Sequence, residues 1–262
     1  MNATVGHDID LTIIVTQAMP FLLIAASIII SNVLNIVVFR KNDKILPIGG
    51  RCFAISLASA DLIMGFLFFT SLVGCVTQEP LIESIRPVCG VLGAFYHTAV
   101  TASTMSLTLI AVDRFLAIQW PLRYPVLMTK KKAVVMALAG WIFLALYSLS
   151  LRFILGSDFY RYHRPSYMCI PEYDGHNLVI LTAVMCKIVP FGIIIVIYAR
   201  ILVIARNQLK RISHHVPNRH ENGTSPGNGT TDATNLKAVK IFIAVTTAFV
   251  ISWSTYIAFS HR

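Results

Sequence analysis

Apolar residues in this chain fall into six long runs, at 11–39, 52–76, 89–118, 133–155, 178–204 and 238–259, and most of the charge lies between them. Each run is long enough to cross roughly 30 Å of hydrocarbon at about 1.5 Å per residue. None shows the alternation of a barrel strand, and in lipid a helix satisfies its own backbone N–H and C=O groups. The pattern predicts an all-α membrane protein, a single domain over 1–262 with six transmembrane helices. The first run exceeds the apolar core of a signal peptide, about 7–15 residues, and lacks a basic start. It is therefore expected to remain as a span, with 1–10 as a short extracellular N-terminus. Residues 213–234 are rich in Gly, Asn, Pro, Ser and Thr and are expected to form a disordered cytoplasmic loop.

Composition agrees with the pattern. Of 262 residues, 56% are hydrophobic and only 13% charged, with a mean hydropathy of +0.70, against roughly 25% charged in soluble chains. The net charge of +10 does not point to nucleic acid, because the basic residues sit between apolar runs instead of along one face. Arg40, Lys41, Lys44 and Arg51 lie on one side, with Arg114, Arg123, Lys130, Lys131 and Lys132, and then Arg200, Arg206, Lys210, Arg211, Arg219, Lys237 and Lys240. The opposite side holds only Arg86, Arg152, Arg161, Arg164 and Arg262. The positive-inside rule places the richer side in the cytoplasm and the N-terminus outside. Six spans then leave the C-terminus outside as well. On this topology the Asn222 and Asn228 sequons face the wrong side for glycosylation, whereas the Asn2 sequon faces the right one. An enzyme is not expected: there is no phosphate-binding glycine loop, no His-Glu-x-x-His pair and no nucleophile elbow. A six-span channel or carrier finds no support in a filter-like loop, an intramembrane ring of charge or an internal repeat.

Polar groups inside apolar helices are the informative ones, since a carboxylate at a span centre costs about 2.5–3.5 kcal/mol on insertion scales. Asp61, Asn32 and Ser103 each lie roughly 12–16 Å from the basic end of their own runs at helical rise. Two readings stand: one shared hydrated cluster, or three groups satisfied separately. Asp113-Arg114-Phe115 closes the third run, where a guanidinium can face the bundle and exchange partners.

Several motifs in order carry a resemblance. Ser31-Asn32-Val33-Leu34, Leu57-Ala58-Ser59-Ala60-Asp61, Asp113-Arg114-Phe115, Pro121-Leu122-Arg123-Tyr124, Trp141, Pro190 with Tyr198, and Phe249 with Trp253 together resemble the rhodopsin family (class A) of G-protein-coupled receptors, in amine- or adenosine-receptor-like form. The resemblance implies a rhodopsin-like bundle with six of seven transmembrane helices, in the plasma membrane. Its partners would be membrane lipid, an extracellular small-molecule ligand and a heterotrimeric G protein. It implies that Asn32, Asp61 and Ser103 sit where such receptors hold an allosteric sodium ion or a water cluster, and no other cofactor. Arg114, beside Asp113 and Phe115, would meet the G protein or its own neighbours according to state. Tyr198 would swing toward it, and Leu122, after Pro121, would seat against Gα. Thr104, Pro190, Phe249 and Trp253 would form a packing switch under a pocket lined by Tyr96, His97, Val100, Thr182, Cys186, Trp253 and Tyr256. Cys89 and Cys169 would be bridged, with Cys75 as the competing partner, and the oxidising side permits it.

The chain also departs from the family. Tyr96 stands where amine receptors carry an aspartate, which removes the counter-ion for a protonated amine. Lys187 lies inside the fifth run, too deep to reach the interface easily, and could hold an anionic ligand group. Thr255 replaces the sixth span's proline, and Asn235 an acidic partner for the arginine. After Ser260-His261-Arg262 no seventh span follows. Signalling by helix rearrangement is therefore weighed against a truncated, non-signalling receptor fragment.

Overall fold

The computed structural model describes residues 11–42, 45–77, 86–156, 159–163, 167–171, 181 and 184–214, with side chains described for most of 18–204 among them. The sixth apolar run lies outside the described residues, as do nearly all of 213–234 and the positions Thr182, Asn235, Phe249, Trp253, Thr255 and Tyr256.

Helix α1 spans Leu11–Lys41, α2 Ile48–Thr77 and α3 Arg86–Gln119. A single helical turn at Tyr124–Leu127 leads into α4, Lys130–Leu155. A π-helical turn, Val184–Ile188, opens α5, Val189–His214. Five of these helices are long and apolar enough to cross a membrane. Large apolar side chains such as Leu23, Ile30, Phe66, Phe143 and Ile195 cover the outer surface, as expected where the surroundings are acyl chains.

Helix α3 is the axis. In its most apolar stretch 56% of residues are buried, against 22% in α4 and 6% in α1. Helices α2, α4 and α5 all pack on it. Small residues allow the close approach: Ala60 on α2 and Ala102 on α3 are fully buried and share a cluster with Leu144 of α4. Lipid tails are as apolar as leucine, so close packing and interhelical hydrogen bonds, not water exclusion, hold such helices together.

Local chemistry sets the ends. Thr129 caps α4, its hydroxyl accepting from the Lys132 N–H at 3.4 Å. Gly156 ends α4 at φ +91°, a conformation that favours glycine. Pro190 has no N–H to give the carbonyl four residues back, and the π turn just before it absorbs the mismatch.

One element is not helical. Strands β1, Tyr160–His163, and β2, Met168–Pro171, pair antiparallel with Tyr162 opposite Cys169. The Cys89–Cys169 disulfide ties β2 to the start of α3 across 80 residues of chain. The side chain of the competing Cys75 lies outside the described ones.

Midway down the bundle, Trp141 Nε1 donates to Ser56 Oγ at 3.0 Å, and Ser56 and Ser106 share a hydrogen bond of 2.9 Å. This joins α2, α3 and α4 at one level. We expect Trp141→Phe to lower the melting temperature in detergent micelles. In a double-mutant cycle with Ser56→Ala the coupling should be about 0.6–1.7 kcal/mol, and strict additivity would contradict the contact.

Candidate functional site

The end of α3 that carries the disulfide is braced by polar bonds. His97 is 2% exposed, and its Nδ1 lies 2.9 Å from Ser148 Oγ on α4. The Tyr160 hydroxyl donates to the Ser148 carbonyl at 2.9 Å, which seats the hairpin on the same spot. Tyr96 and Val100 turn the other way and pack with Leu67 and Met168. Cys186 lines a groove of about 510 Å³ between α3, α4 and α5, together with Pro190 and Tyr147. Lys187, in the π turn, is half-buried and within electrostatic reach of His97. Of the expected ligand-lining set, the described members thus face three directions. Thr182, Trp253 and Tyr256 lie outside the described residues.

The middle of the bundle brings Asn32, Asp61 and Ser103 together. Ser103 Oγ donates to Asp61 Oδ1 at 2.9 Å. Both residues line a cavity of about 170 Å³ with Asn32, Ile28, Met64 and Val100. Asn32 Nδ2 donates to the Ile28 carbonyl at 2.9 Å, which engages one of its two amide N–H groups. The space suffices for water or a small ion. A single carboxylate with neutral oxygens suits a monovalent cation, and no cluster of three His, Cys, Asp or Glu occurs among the described residues. Thr104 is buried, its hydroxyl donating to the Val100 carbonyl of its own helix at 3.1 Å.

At the basic end Asp113 is fully buried. Its Oδ2 pairs with the Arg114 guanidinium, and its Oδ1 accepts from the Tyr124 hydroxyl at 2.7 Å. A surface ion pair would contribute little. Here burial makes loss of either partner costly. Two residues of α2 shape the seat. A Cβ on Gly49 would collide with Asp113 Oδ1 and Met128, and one on Gly50 with the Arg114 guanidinium. Sequence reasoning missed this pair: the adjacent glycines are visible in the chain, but the ion pair they face is brought to them only by the tertiary structure. Tyr198 is buried against Leu107, Ala111 and Phe115. Phe115 meets Trp120 edge-on at 6.1 Å between ring centroids. Pro121 and Leu122 project outward, with Leu122 94% exposed.

Apolar helices around a polar central helix, capped at one end by a disulfide-tethered hairpin, define a multi-pass helical membrane protein. Residues 31–261 match the family "7 transmembrane receptor (rhodopsin family)". The chain belongs to that family. It is 30% identical to the histamine H2 receptor of Rattus norvegicus over 221 residues, 81% of this chain and 57% of that receptor. The Homo sapiens histamine H2 receptor is 28% identical over 218 residues, again 81% of this chain and 57% of the relative. The alpha-1A adrenergic receptor of Oryzias latipes is 31% identical over 163 residues, 60% of this chain and 32% of that receptor. The chain thus spans little more than half the length of the histamine receptors it matches.

Two outcomes follow for the Asp113 seat. Gly49→Ala should destabilise the chain by about 1–3 kcal/mol as an overpacked site, read as a lowered melting temperature. Gly50→Ala should cost less, because the Arg114 tip can swing aside. Burial, then the hydrogen bond and charge of Asp113, push the Tyr124 phenol well above its ordinary range. A raised phenol pKa favours the folded state while the hydroxyl stays protonated. That contribution is whole below about pH 10, the unperturbed value, and fades as pH climbs toward the raised one. Tyr124→Phe should therefore lose stability relative to the native chain at neutral pH and close that gap in strong alkali, as followed by melting curves.

Proposed function

We propose that this chain is the transducing bundle of a receptor in which an extracellular small molecule shifts helix packing and so activates a heterotrimeric G protein. The observation that carries the reading is the buried Asp113–Arg114 pair latched by Tyr124. A charged group held by an internal partner is poised to exchange that partner for an external one. The exposed Leu122 beside it supplies an apolar contact for a Gα subunit. The orientation rests on two physical signs that agree: Arg and Lys gather at the Arg114 end, and the disulfide lies at the other end, where an oxidising compartment belongs. Both signs support a reading with the N-terminus outside and the chain in the plasma membrane.

The ligand we infer is small and polar. The relatives' names speak of histamine and adrenergic receptors, but Tyr96 offers no counter-ion to a protonated amine. Lys187 and His97 favour an uncharged or anionic polar group instead. Asn32, Asp61 and Ser103 are proposed to hold a sodium ion through their oxygens, which would supply the charge that balances the Asp61 carboxylate.

Basal nucleotide exchange tests the proposal without a known ligand. With the full chain in proteoliposomes and a purified heterotrimer, Asp113→Asn and Tyr124→Phe should raise GTP-analogue uptake severalfold by releasing Arg114. Arg114→Ala should bring uptake to the level of empty vesicles. Equal exchange by all four chains, native included, would sink the reading.

A further inference from the structure

We infer that the hairpin is a gate: Met168, aimed by Tyr167, closes the path from the disulfide end of the bundle to the Asp61 cavity. Met168 begins β2 and is buried with Leu67 of α2 and with Tyr96 and Val100 of α3. Val100 also lines the cavity below, as do Met64 and Phe68, which pack on the same cluster. The roof of the cavity and the seat of Met168 are therefore built from the same side chains. Tyr96 stands seven residues before Ser103, and Phe68 seven after Asp61, so the roof is roughly 10 Å thick at helical rise. Its side chains are apolar or aromatic. A hydrated cation or a file of water crosses such a constriction poorly, because nothing there replaces the water it would lose.

Three anchors aim β2. The disulfide fixes Cys169, next to Met168, to the start of α3. On β1, the Tyr160 ring lies so near Gly93 of α3 that a Cβ there would collide with it, and the Tyr160 hydroxyl bonds to the Ser148 carbonyl. The third anchor is Tyr167. Its φ of +52° is the one positive value among the described non-glycine residues, and a residue with a Cβ keeps that conformation only where its surroundings hold it. Phe21 of α1 meets the Tyr167 ring edge-on at 6.0 Å between centroids, and the same Phe21 ring lies 6.4 Å from Phe68 of α2. The first two anchors tie the hairpin down, whereas the third is a ring contact across a strained backbone. Losing that contact lets residue 167 return to negative φ and turns Met168 out of its seat, while the disulfide and Tyr160 keep the hairpin attached. The gate concerns access to the cavity and stands apart from which ion fills it.

The test places a thiol under the roof. The full chain carrying Met64→Cys, in nanodiscs, meets a positively charged methanethiosulfonate reagent, and peptide mass spectrometry follows labelling at position 64. Labelling should be slow while the gate is intact. Met168→Ala or Phe21→Ala in the same chain should speed it severalfold. Cys52, a partly buried free thiol of α2 on the far side of Asp61, serves as internal control, and its labelling should stay constant. Phe21→Ala leaves the hairpin and its disulfide untouched, so it decides the matter if Met168→Ala lowers the melting temperature. Unchanged labelling at position 64 in both variants would overturn the gate. Cys52 labelling that rises in step with position 64 would show a bundle loosened as a whole, and would overturn it as well.

Discussion

Within a bilayer the polar side chains of α3 have no bulk water to turn to, and the packing of the described helices depends on how each is answered. His97 bonds to Ser148 of α4. Ser103 bonds to Asp61 of α2. Ser106 meets Ser56 of α2, which also accepts from Trp141 of α4. Asp113 is satisfied by Arg114 and by Tyr124 in the following turn. An unanswered polar group in hydrocarbon costs several kcal/mol. Each interhelical bond among these therefore selects one rotation and one depth for α3 against its neighbours, which apolar contact with lipid-like side chains does not.

The same bonds distribute chemistry along the axis. One end is stiffened by a disulfide and a hairpin resting on Ser148. The middle carries a carboxylate in a small cavity. The basic end holds a buried ion pair whose closeness to α2 depends on two residues without side chains. Because α3 is one continuous helix over Arg86–Gln119, a rotation that loosens Ser103 from Asp61 also moves Asp113 against Gly49.

The amino-acid sequence by itself determined the positions of the five described apolar helices, the gathering of charge between the apolar runs, and the depth of Asn32, Asp61 and Ser103. These follow from local quantities: transfer cost per residue and rise per residue. Depth on separate helices also made the Asp61 cavity legible. It did not say which hydroxyls reach across, because a serine or threonine in a helix can satisfy itself on its own backbone, as Ser59, Thr98 and Thr104 do. The Ser56–Ser106–Trp141 clasp, the turn of His97 toward Ser148, the glycine seat under Asp113 and the four-residue strands of the hairpin were decided only by tertiary structure. Each depends on how a helix is rotated about its axis, and partners many residues away in the chain fix that rotation.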